Sequence, residues 1–536
     1  MNHLIKVILP YIIIAVVSFL FELAFGKYDD SILYNLIEGF VFVFLIILGM
    51  FSVPLKYKKT YLVGSFLFFS LVCIFESTYS YLFATYFSPS AIFVILDTNI
   101  SESKEFFIFY LDTTLVVYMT SYGFLVFFLT KDLINKTIYP ANLPNYRNQL
   151  FTFGAIIFLV GFIKFSNLIV YNLPYLIVKS TFLYLEDSEL LNDNLSDGTG
   201  NFHNVTLTDP KQKEVHVIVV GESTTKSHMG LYGYYRKTTP MLEEIKDELL
   251  IYEDVIAPST YTIHSLTKAL TAGNYEEPEK TKEGSIIQLL NQSGYRTYWI
   301  SNQQPIGMMS SQITRIGKAA YKKVFINTAH TSSITPYDGH LVDRMLEVFN
   351  DGTNKKVIFL HLLGTHFDYK KRFPKEFEYF KDSPETKYNS RKVHNQINSY
   401  DNAVRYNDYL LRTIIEEVRK KDVKASVLYF SDHGEELYED LFFAGHAVDN
   451  NTTKSMYEIP FILWRSQKYK EEKTISFYPE RKYMIDDLFH SVSQLMKIEA
   501  DEVDVSRSIF SDSYKKRKRI IKEGNESMDY DKVFNQ

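Results

Sequence analysis

The sequence has very little cysteine: one residue in 536, Cys73, which lies inside an apolar run. This scarcity excludes a disulfide framework, and it excludes a cysteine nucleophile or metal ligand from the second half of the chain. It does not place that half in any compartment, because a large domain with its own hydrophobic core does not need disulfides even where they can form.

Strong net charge is missing as well. The 58 basic and 63 acidic residues leave a formal charge of −5 at pH 7. That charge is too small to indicate a partner, and no basic footprint of a nucleic-acid-binding protein is present. Composition instead changes along the chain. Residues 1–177 are dominated by Ile, Leu, Phe, Val and Tyr, whereas the chain from about residue 180 resembles an ordinary charged globular protein.

Five apolar stretches in the first part are long enough to cross a hydrocarbon core, which takes about 20 residues. They cover residues 4–25, 31–54, 61–87, 106–130 and 150–172. The first is interpreted as a true span rather than a cleaved signal peptide, because four more follow it. Residues 1–172 are therefore predicted to form a transmembrane domain of five helices.

The loop charges predict an orientation. Basic residues follow the second and fourth stretches, namely Lys56, Lys58, Lys59, Lys131, Lys136 and Arg147. The loops after the first and third stretches are acidic on balance. The positive-inside rule then places the N-terminus in the cytoplasm, and five spans carry the rest of the chain to the opposite side. The fifth stretch contains Lys164, whose side chain must snorkel or face protein.

The remainder is predicted to be a linker followed by one domain. Residues 173–213 combine an amphipathic stretch suited to a membrane surface with an acidic run rich in Gly and Asn. From Val215 onward strand-type and helix-type segments alternate, which predicts an α/β domain with a mostly parallel sheet over residues 214–536. Strands are predicted at 215–220, 296–300, 356–361, 425–430 and 459–464, and helices at 238–248, 284–293, 337–350 and 399–420.

Two of the predicted strands end in side chains that suit a metal ion. Glu222 follows the first strand, and Asp432 with His433 follows the fourth. Ligands of α/β sheets gather at the carboxyl ends of strands, and Glu, Asp and His together suit a divalent ion of the zinc type. Each motif alone also has an ordinary explanation, since Glu222 could cap a helix and an Asp-His pair is common in loops.

Hydroxyl and imidazole groups lie near these motifs. Residues 259–265, Ser-Thr-Tyr-Thr-Ile-His-Ser, precede a helical pattern. A hydroxyl there is ordinarily an N-cap, but a helix N-terminus also favours phosphate, and a metal-bound hydroxyl is a nucleophile. The residues alone do not choose between Thr260 and Thr262. Loop histidines are usually surface residues, but in a phosphate site three could stabilise charge or donate a proton: His361, His366 and His446.

These segments resemble the phosphoethanolamine transferases, inner-membrane enzymes of Gram-negative bacteria with five N-terminal spans and an alkaline-phosphatase/sulfatase-type catalytic domain. The resemblance covers nearly the whole soluble half in order, through residues 219–224, 228–229, 231–234, 236–240, 261–263, 269–271, 294–295, 299–304, 361–366, 431–436 and 459–461. It implies an α/β/α sandwich for that half.

The resemblance also implies roles for individual residues. It implies one or two zinc ions and four ligands, of which the threonine is also the nucleophile: Glu222, Thr262, Asp432 and His433. It thereby selects Thr262 over Thr260. His366 and His446 match histidines that bind the substrate phosphate or a second zinc, whereas His361 has no match and is assigned a structural role.

The implied reaction transfers phosphoethanolamine from phosphatidylethanolamine to lipopolysaccharide through a covalent phospho-threonine. The implied enzyme is a monomer in the bacterial inner membrane, with a periplasmic catalytic domain and no nucleic-acid partner. The Tyr-Thr-Ile sequence at 261–263 and the Asn-Gln-Gln run at 302–304 favour the branch that modifies a core heptose. The lipid A branch carries Ser-Cys-Gly-Thr and several disulfides, but residues 257–260 read Ala-Pro-Ser-Thr here. Lipid A is the alternative acceptor.

Other interpretations remain. A phosphoglycerol transferase of the lipoteichoic type shares the threonine and the five spans. A sulfatase is disfavoured because its Cys/Ser-x-Pro-x-Arg sequence is absent, and a non-catalytic membrane scaffold because every expected metal ligand is present. Residues 97–102 resemble an exported loop near the donor headgroup or are a polar connector. The basic cluster 515–519 is interpreted as a solvated edge strand or as a contact for acceptor phosphates.

Overall fold

The structure is a computed structural model that describes residues 2–25, 31–83, 95, 103–104, 107–108, 110–135, 146–166, 168–190, 195–208, 212–303, 312–327, 336–446, 451–472, 475–523 and 526–534. The chain divides into two compact units. One comprises residues 1–93 and 110–183, and the other residues 94–109 and 184–536. The loop at 97–102 and Gln304, both noted in the sequence, lie outside the described residues.

The first unit is built from apolar helices: α1 (Asn2–Phe25), α2 (Ser31–Ser52), α3 (Leu55–Phe83), α4 (Thr113–Asn135) and α5 (Tyr146–Phe165). By length and composition α1 to α4 could each cross a membrane, so four of the five predicted spans are confirmed as helices of membrane length. The fifth is shorter than predicted. Its apolar helical part covers residues 152–165, and a 3₁₀ turn, Leu168–Tyr171, follows. Helix α6 (Leu173–Leu190) contains the predicted amphipathic stretch.

The second unit has a central sheet of seven strands: β1 (Glu214–Gly221), β2 (Leu249–Tyr252), β3 (Arg296–Ser301), β4 (Lys322–Phe325), β5 (Lys355–His361), β6 (Lys424–Ser431) and β7 (Phe461–Arg465). Their order is β2-β7-β6-β1-β5-β3-β4. Strand β7 is antiparallel to both its neighbours, and the pairs among β6, β1, β5, β3 and β4 are parallel. The mostly parallel sheet predicted from the sequence is confirmed.

Helices cover both faces of this sheet. Those of seven residues or more in the described part of this unit are α7 (Thr262–Leu270), α8 (Ile286–Gln292), α9 (Gln312–Lys318), α10 (Gly339–Phe349), α11 (Arg391–Arg419) and α12 (Leu488–Leu495). Side chains of β1 alternate between the two cores: Ile218 and Val220 pack with α7, α8 and α12, whereas Val217 and Val219 pack with α10 and α11. This alternation follows from the two-residue period of a strand, and it makes the unit an α/β/α sandwich.

One predicted helix is wrong. Residues 238–248 form only a four-residue helix, Pro240–Glu243, and a 3₁₀ turn, Lys246–Glu248, before the chain enters strand β2. The apolar run at 249–252 pairs with β7 instead of continuing a helix. In contrast, helix α11 starts eight residues earlier than predicted, because the Ser390 hydroxyl accepts the Val393 amide and caps it.

Candidate active site

Strands β1 and β6 are neighbours in the sheet, and their carboxyl ends are in register. Gly221 pairs with Ser431, so Glu222 and Asp432 follow side by side. The backbone turns sharply after Glu222, because Ser223 adopts the left-handed conformation with φ of 56°. The topology thereby brings together two carboxylates that are 210 residues apart in sequence, at the edge of the sheet where α/β proteins bind ligands.

Thr262 is the first residue of helix α7, and its hydroxyl points at this pair rather than at the helix amides. Its Oγ1 donates to Glu222 Oε1 at 3.0 Å and lies 3.5 Å from His433 Nε2. The cap position of the helix is Tyr261, whose side chain makes no capping hydrogen bond. Of the two threonines that the sequence offered, Thr262 therefore contacts the carboxylate cluster through its hydroxyl.

Asp432 uses its two oxygens differently. Its Oδ1 accepts the backbone N–H groups of Ser223 at 3.0 Å and His433 at 2.7 Å. Its Oδ2 is buried, has no hydrogen-bond partner and lies 3.4 Å from His433 Nε2. A buried carboxylate oxygen without a donor is costly unless a cation satisfies it. The fixed Oδ1 aims that free oxygen at the centre of the cluster.

The imidazole of His433 is also held in the form that binds metals. Its Nδ1 lies 2.8 Å from the Gly434 carbonyl oxygen, which can only accept, so Nδ1 carries the proton and Nε2 presents a lone pair. That Nε2 lies 3.5 Å from Glu222 Oε1. Donor atoms of Glu222, Asp432 and His433 all fall within 4.8 Å of one another, which fits a zinc ion bound by two carboxylates and one nitrogen.

Electrostatics around Glu222 favour a cation as well. Burial and then the neighbouring Asp432 raise the pKa of Glu222 well above its ordinary value. Its second oxygen, Oε2, accepts the Gln303 side-chain amide at 3.2 Å. A divalent ion between the two carboxylates would remove their repulsion and favour the ionised form of both.

A second group of possible ligands adjoins the first. The His433 and His446 ring centroids are 4.3 Å apart, and His446 Nδ1 lies 2.9 Å from Glu435 Oε2. Tyr369 donates to the other oxygen of Glu435 at 2.8 Å. Donor atoms of His433, Glu435 and His446 again lie within 4.8 Å of one another. Sequence reasoning assigned no role to Glu435, although it follows His433 by two residues.

His366 comes from the loop after β5, which is packed against Glu222. The Thr365 amide donates to the Glu222 carbonyl oxygen at 3.0 Å, and Gly364 has a φ of 55°. His366 Nδ1 is buried without a partner. Burial and then the charge of Arg372 hold the pKa of His366 well below its ordinary value, and His446 and His433 contribute in the same direction.

Two further residues support this loop. Asp338 was missed by sequence reasoning, yet its carboxylate accepts the amides of Leu363 and Gly364 at 3.0 and 2.9 Å. Nothing local in the sequence marks it, because it belongs to a different segment. His361 ends β5 and packs against Trp299, with Nδ1 3.2 Å from the Ser301 hydroxyl. Its ring therefore lies beside strand β3.

The basic cluster at 515–519 is not an edge strand. It precedes the strand Ile520–Glu523 of a C-terminal hairpin. Arg517 pairs with Glu276 and Asp487, whereas Arg519 is buried and pairs with Asp254 and Asp531. The three lysines are exposed: Lys515, Lys516 and Lys518. The two arginines therefore form ion pairs that link separate segments of the second unit.

Comparison with known proteins shows the family to which the chain belongs. The sulfatase family model matches residues 215–498, more than half of the chain, and the chain belongs to that family. Within it, the chain is similar to phosphoethanolamine transferase EptC of Escherichia coli K12, with 29% identity over 478 residues that cover 83% of this chain and 81% of the relative. The resemblance to phosphoethanolamine transferases stated from the sequence is confirmed.

Solved structures of phosphoethanolamine transferases share the fold of this chain. The C-terminal periplasmic domain of E. coli EptC, in complex with Zn, is 32% identical, with a TM-score of 0.60, and covers 63% of this chain and 97% of that domain. The integral membrane lipooligosaccharide phosphoethanolamine transferase A of Neisseria meningitidis has a TM-score of 0.71 at 20% identity, covering 95% of this chain and 98% of its own. The second likeness shows that the fold extends through the N-terminal helices.

Proposed function

We propose that this chain is a zinc-dependent phosphoethanolamine transferase that acts on lipopolysaccharide, with a core heptose as the preferred acceptor and phosphatidylethanolamine as the donor. The observation that carries the proposal is the Thr262 hydroxyl, 3.0 Å from Glu222 Oε1 beside Asp432 and His433. The named activity of the relative EptC and the Zn complex of its periplasmic domain support it.

The residues act as follows. Glu222 accepts the Thr262 hydroxyl proton in a hydrogen bond and so orients Oγ1 toward the phosphorus. The N-terminal amides of α7 favour the negative phosphate at that position. A zinc ion held by Glu222, Asp432, His433 and Thr262 would lower the pKa of the hydroxyl and stabilise charge on the phosphoryl oxygens.

Two displacements at phosphorus complete the transfer. The Thr262 hydroxyl gives up its proton and its oxygen forms a bond to phosphorus. The bond from phosphorus to the diacylglycerol oxygen breaks, and that oxygen takes up a proton. An acceptor oxygen then attacks the same phosphorus, loses its proton, and Thr262 departs with its hydroxyl restored. His446, oriented by Glu435, is positioned to supply the proton to the departing oxygen. His366, which burial and Arg372 hold neutral, is positioned to accept a proton.

The proposal includes the membrane arrangement expected from the sequence. Residues 1–172 cross the inner membrane five times from a cytoplasmic N-terminus, residues 173–213 link the domains, and residues 214–536 form a periplasmic catalytic domain in a monomeric enzyme. The four membrane-length helices, the 20-residue helix α5 that would make the fifth crossing, and the likeness of fold to an integral membrane relative support it. Anchoring keeps the catalytic domain close to both a lipid donor and a lipid-linked acceptor.

Trapping the intermediate tests the chemistry. The purified full-length protein is mixed with phosphatidylethanolamine, quenched in acid, digested and analysed by mass spectrometry. We expect phosphoethanolamine on Thr262 in the wild type, none in Thr262→Ala, and retention of the adduct in the matched control Thr260→Ala. Phosphoglycerol on Thr262 after incubation with phosphatidylglycerol, with no phosphoethanolamine adduct, would favour the rival transferase.

The acceptor needs a separate measurement. Lipopolysaccharide from cells with and without the active gene is split into core and lipid A, and each fraction is weighed by mass spectrometry. We expect the phosphoethanolamine increment on the core. An increment on lipid A would move the assignment to the alternative acceptor, and an increment on neither would refute both.

A further inference from the structure

Three carboxylates are buried within the helices of the first unit. Glu22 on α1, Glu38 on α2 and Glu76 on α3 are 2%, 3% and 8% exposed. Ionisable groups inside a membrane domain are energetically costly and usually functional. No basic side chain among the described residues acts on Glu38 or Glu76: Glu38 accepts the Asn172 amide at 2.5 Å, and Glu76 accepts the Leu173 backbone N–H. In the described part of the chain, neither carboxyl therefore faces a basic partner.

The three glutamates line one small cavity, with room for a group about the size of a water molecule or an ammonium. Asn35 lines it too, is 9% exposed, and its carbonyl oxygen Oδ1 is buried without any hydrogen-bond partner. An unsatisfied carbonyl oxygen next to carboxylates marks a place where a donor or a cation is missing. The rest of the wall is largely apolar, with the rings of Phe19, Phe42 and Phe69.

The cavity lies near one end of the helices. Glu22 is three residues before the end of α1, Glu38 seven residues after the start of α2, and Glu76 seven residues before the end of α3. At a rise of about 1.5 Å per residue, these positions are about 5 to 10 Å below the helix ends, near the boundary between lipid headgroups and acyl chains. In the proposed orientation this is the periplasmic end.

The spacing of the acids favours an organic cation over a metal ion. Within the described part of the chain, the groups of three His, Cys, Asp or Glu donors that come within 4.8 Å of one another are the two at the candidate active site. The three membrane glutamates therefore do not form a group of three carboxylates that could close around one ion. A primary ammonium offers three N–H donors that can reach separate acceptors, and its methylene groups suit aromatic walls.

We propose that this cavity binds the primary ammonium of an aminophospholipid headgroup in the outer leaflet of the membrane. The inference rests on the proposed function for the class of donor and for the orientation of the helices. It gives the membrane unit a role beyond anchoring, since Glu38, Glu76 and Asn35 would select the lipid whose headgroup is transferred.

Lipid binding by the full-length protein tests this. Thr262→Ala is used as the background so that no turnover occurs, and native mass spectrometry compares short-chain phosphatidylethanolamine with phosphatidylcholine, its N-trimethyl analogue. We expect the background protein to bind the ethanolamine lipid at least 5-fold more tightly. Glu38→Gln with Glu76→Gln should abolish that preference, and the matched control Asp132→Asn, an exposed carboxylate on α4, should retain it.

Equal affinity for the two lipids in the background protein would overturn the inference, because the glutamates would then be neutral packing groups. Displacement of the lipid by millimolar Mg²⁺ would overturn it in favour of a metal site. If the double variant does not fold, as judged by gel filtration, Asn35→Ala must reduce the preference instead. If wild type forms the Thr262 adduct but the background protein binds both lipids equally, only this inference is refuted. If the background protein prefers the ethanolamine lipid but wild type forms no adduct, only the proposed function is refuted.

Discussion

Asp432 shows how a single residue can prepare a metal site. Two backbone amides fix one carboxylate oxygen, and the other is left buried and unpaired. The amides come from Ser223 and His433, which follow two different strands. The residue thus links both strand ends and supplies one free oxygen to a ligand.

Replacing Asp432 by Asn tests this role. The amide oxygen can still accept the two N–H groups, but the free position loses its charge. We expect zinc affinity to fall by more than the 10- to 100-fold typical of outer partners of a metal. The measurement is zinc content after dialysis against graded chelator. Asp408→Asn is the control, since that buried carboxylate also accepts two backbone amides, from Met241 and Leu242. A similar zinc loss in both variants would contradict the assignment.

The geometry of the site also depends on Gly364, which packs against Glu222. A Cβ there would lie 2.7 Å from the Glu222 carbonyl oxygen and 2.8 Å from its nitrogen. Gly364→Ala should therefore shift Glu222 and weaken zinc binding by about 10-fold or more. Gly352→Ala is the matched control, because Gly352 also has a positive φ but nothing within 4 Å of its Cβ. Both variants should lose about 1–2 kcal/mol from the left-handed backbone, seen as a lower thermal midpoint, and only the first should lose zinc.

At the scale of elements, helix α11 is tied to the loop after β1 by a buried charged network. Asp401 lies 2.7 Å from His228 Nδ1 and accepts Arg236 at 2.8 Å. Arg236 also donates to Asn398 at 2.7 Å. Because His228 follows the same strand end as Glu222, this network holds the backbone from which the candidate ligand emerges.

The network should make stability depend on pH. Burial alone would lower the pKa of His228, but the charge of Asp401 and its hydrogen bond outweigh burial and hold the pKa above 6.5. A raised histidine pKa contributes stability that is present below 6.5 and lost as pH rises through the folded value. The difference in thermal midpoint between wild type and His228→Gln should therefore be largest near pH 6 and shrink toward pH 9.

His216→Gln is a control whose stability effect should change with pH in the opposite direction. Burial lowers the pKa of His216, so its contribution is present above 6.5 and is lost on acidification. The penalty of this variant should shrink as the pH falls below 6.5. A penalty for His228→Gln that does not change with pH would mean that the residue is neutral in the folded protein.

The elements also show what sequence patterns can predict. All five predicted strands are present, because strands buried on both faces of a sheet are continuous apolar runs with a recognisable start and end. The short edge strands β2 and β4 were not predicted. Residues 249–252 look like the end of a helix until pairing with β7 is known, because strand pairing is a tertiary interaction.

The residues of the candidate site also differ in whether the sequence could predict them. Glu222, Asp432 and His433 could be proposed from residues at strand ends, whereas choosing Thr262 over Thr260 required the family resemblance. Asp338 could not be found, because it acts through backbone amides of a distant loop and no motif surrounds it. Sequence patterns identify the groups that end strands, and the fold identifies those that hold them.

On the scale of the second unit, Arg519 joins segments far apart in sequence. It is 2% exposed and pairs with Asp254 and with Asp531, which are 277 residues apart in sequence. Tyr530 packs beside it against Tyr457. The C-terminal hairpin thereby packs against the strand pair Val255–Ile256 and Tyr483–Met484. Ile256 precedes Thr262 by six residues.

Arg519→Met should consequently destabilise the unit by about 1–3 kcal/mol, because Asp254 loses its guanidinium partner and Asp531 keeps only Lys482. The thermal midpoint of the purified protein measures the effect. Lys518→Met, which changes the exposed neighbour, should stay within about 0.5 kcal/mol of wild type. Equal effects of the two substitutions would show that the basic cluster acts through net charge rather than through Arg519.

The lone cysteine has a practical consequence for the whole molecule. Cys73 is buried in α3, in the first unit, so the catalytic unit contains no thiol. The catalytic unit therefore folds without disulfide formation. A cysteine introduced on its surface would be its single accessible thiol, so a probe attached there would report the motion of the catalytic unit without a background signal.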